Sequence, residues 1–114
     1  MKFLSITTMD FSNMEPFTDE NMQRMMALIA EMRAKGVLLD TGGRNPGMEE
    51  FTVVRKDGRK FLTDGPFTES KELIGGFALL EVKDRDEAIE WTNRFLDIAG
   101  NATAIVHEVS PTPG

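Results

Sequence analysis

The chain has 114 residues, no cysteine and a formal net charge of −6, from 13 basic and 19 acidic side chains. That length suits one domain and leaves no room for two. The missing thiols exclude disulfides, thiolate metal sites and cysteine nucleophiles, and the acidic balance disfavours a phosphate-bearing partner.

Residues 2–9 (KFLSITTM) are rich in β-branched and aromatic types and predict a first strand. The N-terminal apolar run is too short for a secretory signal, and no stretch approaches the roughly 20 apolar residues of a membrane span, so a cytoplasmic protein is expected. Residues 10–17 read as a loop. Thr18 is a good N-cap for a helix from about 19 to 35, with Asp19 and Glu20 in the first turn, where negative charge suits the helix dipole. Met22, Met25, Met26, Ile29 and Met32 mark one apolar face, and Gly36 is a natural stop.

Val37 to Asp40 predicts a short buried strand, and residues 42–47 a loop by composition. Phe51–Arg55 and Lys60–Thr63 are strands, and Asp57-Gly58 between them signals a tight hairpin turn. Asp64-Gly65-Pro66-Phe67 breaks that run, and 68–74 is polar, with room for a helical turn. Gly75-Gly76 introduces a strand over 77–83, apolar on both faces through Val82. A second helix is expected at about 85–98, capped by Asp84 with Glu87 in capping-box position. Ala88, Trp91, Phe95 and Ala99 form its inner stripe, and Gly100 its end. Residues 103–109 predict the last strand, and 110–114 a frayed tail beyond a single domain over 1–109.

The order is β-α-β, a hairpin, then β-α-β. Right-handed crossovers place both helices on one face of an antiparallel sheet, giving an α+β, ferredoxin-like plait with an added hairpin. The other sheet face needs cover, and a second copy of the chain is the expected partner.

Asp64-Gly65-Pro66-Phe67, Glu69, Lys71-Glu72, Gly75-Gly76-Phe77 and Asp86 to Trp91 together resemble the signature run of the YCII-related, DGPF-motif family. Gly36 to Leu39 and Glu108 to Pro111 extend the likeness over nearly the whole chain. The resemblance implies a dimeric α/β barrel, in which two ferredoxin-like sheets face each other. It also implies a link to regulatory circuits built on extracytoplasmic-function sigma factors. Related barrels include muconolactone isomerases, chloromuconolactone dehalogenases and heme-handling monooxygenases. The YciI-like branch carries a proposed His–Asp dyad with its histidine in the first helix. No histidine lies in residues 18–35 here, so the dyad is not carried over.

The candidate catalytic groups are Asp40, Asp64 and His107. A carboxylate at a rigid turn or strand end can act as a general base, and a lone histidine titrates near neutrality. Each also has a structural reading, as a turn-forming carboxylate or a hydrogen-bonded interface histidine. Arg44 and Lys71 are candidate ligand-binding cations, Arg44 as an anion clamp beside Asp40. Neither glycine pair has the spacing of a phosphate loop. One histidine without cysteine makes a poor transition-metal site, so no metal and no cofactor is expected. Nucleic acid and membrane are not expected partners. The functional expectation is a homodimeric, small-molecule-binding or regulatory accessory protein. The alternative is a small isomerase, dehalogenase or hydrolase using a carboxylate base.

Overall fold

In the computed structural model, which describes residues 1–10, 12, 15–45, 47–65 and 73–111, six strands and two helices alternate along the chain. They are β1 (Lys2–Met9), α1 (Asp19–Ala34), β2 (Leu38–Gly43), β3 (Phe51–Lys56), β4 (Arg59–Asp64), β5 (Leu73–Glu81), α2 (Arg85–Ala99) and β6 (Thr103–Glu108). Four strands form one antiparallel sheet in the order β2-β5-β1-β6. This is the ferredoxin-like plait, with β3 and β4 set apart as a two-stranded sheet of their own.

The helix limits follow from their caps. Thr18 Oγ1 accepts the Asn21 amide at 3.1 Å, and Asp84 Oδ1 accepts the Glu87 amide at 2.9 Å. Each bond satisfies an amide that has no partner within its helix. Gly36 follows α1 with a φ of +70°, where glycine is free of strain. The core gathers where both β-α-β units begin and end: Phe3 on β1, Leu28 and Met32 on α1, Val37 and Leu38, Leu80 and Val82, then Ala88, Trp91 and Ile98 on α2. Met22 and Met26 were expected on the buried face of α1. They are exposed, and Leu28 takes their place, so the inner stripe is rotated toward Met25, Leu28, Ile29 and Met32.

Two glycine pairs correct the sequence expectation. Gly42 and Gly43 lie in β2 instead of a loop, and Gly75 and Gly76 lie inside β5, which starts at Leu73. The ladder pairs Gly42 with Phe77 and Gly43 with Gly76. These backbones approach so closely that a Cβ on Gly76 would stand 2.7 Å from the Gly42 carbonyl oxygen. Glycine's low strand preference is overridden here by the pairing it permits. The helical turn expected within 68–74 falls on 68–72, outside the described residues, and on Leu73 and Ile74, which are strand.

The β3–β4 hairpin turns at Asp57 and Gly58, both with positive φ (+53° and +77°), as a two-residue turn of the primed type requires. Its base is closed by the Gly65 amide donating to the Glu50 carbonyl at 2.7 Å. Phe51, Val53, Phe61 and Leu62 along it are exposed. The hairpin stands away from the body, and the Cα radius of gyration is 16.0 Å, against about 13 Å for a compact chain of this length. At its tip Arg55 faces Lys60 and Lys56 faces Arg59. The fold therefore gathers a basic cluster that the net charge concealed, and none of the four cations has an ion pair among the described residues.

The close approach of β2 and β5 yields a test. Gly76→Ala forces a methyl group against fixed backbone and should lower the thermal midpoint by roughly 5–10 °C, the scale of an overpacking cost of about 1–3 kcal/mol. Gly75→Ala meets mainly the Met9 side chain, which can swing aside, so it should cost less. Circular-dichroism melts of the two variants check the order.

Candidate functional site

Side chains shrink row by row along the inner face of the sheet. The first row is Leu38, Leu80 and Phe3, with Glu108 at its β6 edge; the next is Thr41, Ala78, Ser5 and Val106; the third is Gly43, Gly76, Thr7 and Ala104. The first row meets the helices as core. Beyond it the small residues leave space beneath α1 and α2, and a cavity of about 400 Å³ opens there. That volume suits a small organic ligand.

Met25, Leu28, Ile29 and Met32 line its α1 side, and Trp91, Phe95 and Ala99 its α2 side, with Phe17 and Met9 at the ends of their segments. Four hydroxyls reach the wall. Thr41 Oγ1 donates to the Phe77 carbonyl at 2.8 Å, and Thr92 Oγ1 to the Ala88 carbonyl at 2.7 Å. Ser5 and Thr7 are only 7% and 5% exposed, and neither hydroxyl has a partner among the described residues. Neither oxygen is sealed off either, because both side chains border the cavity. No Asp, Glu, Lys, Arg or His lines the cavity among the described residues.

An ionic clamp ties the two helices together. Arg94 donates to both Glu31 oxygens, at 2.5 and 3.0 Å, and its guanidinium lies 4.8 Å from the centroid of the Trp91 ring, which also borders the cavity. Lys35 pairs with Glu31 at 3.5 Å and lies 5.4 Å from the same ring. The hydrogen bonds from Arg94 hold the Glu31 carboxyl down at about 2, against an ordinary 4.5; partial desolvation opposes this, and the charges of Arg94 and Lys35 reinforce it. Arg94 is raised in turn by Glu31. A polar recess outside α2, bordered by Lys35, Glu87, Glu90 and Arg94, is thus occupied at its cations by Glu31.

Of the sequence candidates, Asp40, Asp64, His107 and Arg44 do not line this cavity. Asp40, Leu79, Leu4 and His107 form one row across the open face of the sheet, away from the helices. Three strand spacings separate Asp40 from His107, about 14 Å. Asp40 Oδ1 accepts the Thr41 amide at 2.9 Å, and His107 Nδ1 lies 3.4 Å from the Glu108 carbonyl. Asp64 ends β4, opposite Phe51. Arg44 pairs with Glu50 at 3.3 Å. Lys71, Pro66 and Phe67 lie outside the described residues. Sequence reasoning missed Ser5 and Thr7. The available signal was two hydroxyl residues alternating with Leu4 and Ile6 on a strand whose inner positions should be apolar.

The sequence profile of the YCII-related domain matches residues 1–107. The chain belongs to the YCII-related family. No curated protein matches it significantly. Among solved structures, this YCII-related chain is similar to the divalent ion tolerance protein CutA1 from Ehrlichia chaffeensis, at 13% identity and a TM-score of 0.43, covering 98% of this chain and 84% of that one. A single-substitution CutA1 variant from Pyrococcus horikoshii OT3 is similar at 12% identity and a TM-score of 0.41, covering 99% and 87%. Among the described residues, no helix of the YCII-related chain is long and apolar enough to cross a membrane.

The clamp predicts an acid-sensitive step. The folded-state pKa of Glu31 is depressed, so its contribution is complete above about pH 4.5 and is lost as pH falls toward 2. Thermal midpoints of wild type and Glu31→Gln should differ by a constant amount above pH 5, and the gap should close as pH falls from about 4.5 to about 2.

Proposed function

We propose that this YCII-related chain works as a homodimer that binds a small molecule in the cavity between sheet and helices, in an accessory, ligand-responsive role without an acid–base dyad. The binding reading rests on one observation: a largely apolar cavity of about 400 Å³ bordered by two hydroxyls, Ser5 and Thr7, that have no partner among the described residues. Ser5 and Thr7 put hydroxyls on a sheet face whose other inward side chains are mostly apolar, and both border the cavity. A ligand able to bond them gains hydrogen bonds in a largely apolar site.

Assembly is supported by the open sheet face. Leu4, Ile6, Phe77, Leu79 and Ile105 share it, and Phe77 and Ile105 are 41% and 55% exposed. A contiguous apolar face of this kind is typical of an interface. The exposed apolar residues of the β3–β4 hairpin add surface that a second copy can cover, and an isolated two-stranded hairpin is marginal in water. The enzyme reading needs a carboxylate at the substrate. Asp40 and Asp64 sit on other surfaces, so it draws no support from the cavity.

Light scattering on the purified protein at micromolar concentration should give about twice 12.7 kDa. Ile105→Glu, at an exposed position on the open face, should reduce this to a single-chain mass with unchanged circular dichroism; a wild-type protein that runs as a monomer overturns the assembly. A thermal-shift screen of lactones, aromatic alcohols, ketones and small carboxylates tests binding. A true ligand raises the midpoint with concentration, equivalent to about 2.7 kcal/mol at one hundred times its Kd.

A further inference from the structure

We infer, resting on the ligand-binding reading above, that the cavity takes a neutral, flat, largely apolar molecule carrying two hydroxyl or carbonyl groups, which Ser5 and Thr7 recognise together. Neutrality follows from the walls. No titratable side chain lines the cavity among the described residues, and its polar side-chain groups there are four hydroxyls and the indole of Trp91, all neutral. An ionised group brought there would lose its water without gaining a counter-charge, a penalty of several kcal/mol that hydroxyls alone do not offset.

The polar pattern follows from β1. Ser5 and Thr7 are two residues apart on one strand, so both point inward, spaced roughly 7 Å apart. Thr41 and Thr92 already donate to backbone carbonyls and keep only acceptor lone pairs, so the β1 pair alone offers a ligand both donors and acceptors among these hydroxyls. A hydroxyl both donates and accepts, so it serves a ligand hydroxyl or a ligand carbonyl equally. Two such points along one edge favour a ligand bonding through two groups about as far apart over one with a single polar end.

Flatness follows from the floor and the roof. The floor is sheet made low by Gly43, Gly76 and Ala78, and the roof carries Trp91, Phe95 and the thioethers of Met25 and Met32. A ring system lies against such a floor with little void, and methionine sulfurs make favourable contacts with aromatic rings.

Isothermal titration of the whole chain with three probes tests this: a naphthalene bearing one hydroxyl on each ring, naphthalene itself, and the matching dicarboxylate. The diol should bind at least about tenfold more tightly than naphthalene, the scale expected of two net hydrogen bonds. The dicarboxylate should give no binding. Ser5→Ala combined with Thr7→Val should abolish the preference for the diol while leaving naphthalene binding unchanged. That double variant should melt no lower than wild type, because neither hydroxyl has a partner to lose among the described residues. If the dicarboxylate binds as well as the diol, or the double variant keeps the preference, the ligand class is wrong while the cavity remains a binding site. A clear drop in the variant's melting point means the hydroxyls are structural and overturns the inference. If none of the three probes binds, the ligand-binding reading itself falls.

Discussion

The decline in side-chain size along the inner face of the sheet governs this structure. Where Leu38, Leu80 and Phe3 stand, the sheet meets Leu28, Met32, Ala88 and Trp91 as a packed core. Two rows further on, Gly43, Gly76 and Thr7 offer almost nothing to pack. The helices are held in place by the core at one end and by the Glu31–Arg94 clamp between them, so they do not sink to fill the gap. Interiors are close-packed as a rule, and space of this size is maintained only where its surroundings are fixed. The same glycines let β2 and β5 pair at short range, so the feature that opens the cavity also joins its floor.

Most of the plait was legible because local and global signals agree along this chain. Thr18, Asp84, Gly36 and Asp57-Gly58 each carry a specific backbone chemistry, and each marks an observed boundary or turn. The cavity was harder to read because it is made of the residue type that composition assigns to loops. Gly42-Gly43 and Gly75-Gly76 look like punctuation in isolation, and only the register, Gly43 against Gly76, turns them into a strand pair. Two irregularities hid that register. The ladder slips at Leu39 in β2 and between Thr7 and Thr8 of β1, so inward and outward positions cannot be counted along those strands by simple alternation.

Asp40 and His107 lie away from the cavity for a related reason. Asp40 and His107 are far apart in sequence, and pairing alone places them in one row on the face opposite the helices. Charge at a strand end was a reasonable sign of chemistry, but hydroxyls bordering a largely apolar cavity are the stronger one, and the cavity is a property of the fold. The basic hairpin tip follows the same logic. Arg55, Lys56, Arg59 and Lys60 are unremarkable in a chain of net charge −6 until the turn places like charges opposite one another, an unfavourable arrangement unless something acidic approaches.

β1 is where the two halves of the proposed function meet. Its odd positions Phe3, Ser5 and Thr7 face the helices, and its even positions Leu4 and Ile6 face the open side. A strand's period of two would put the proposed ligand and the proposed second copy on opposite sides of this strand, with no intervening layer. Any shift of β1 toward a ligand bonded to Ser5 and Thr7 moves Leu4 and Ile6 relative to a partner packed on them. Coupling between sites requires an element that both bias. Here the pleat of a central strand, paired on both edges, is the only such element needed.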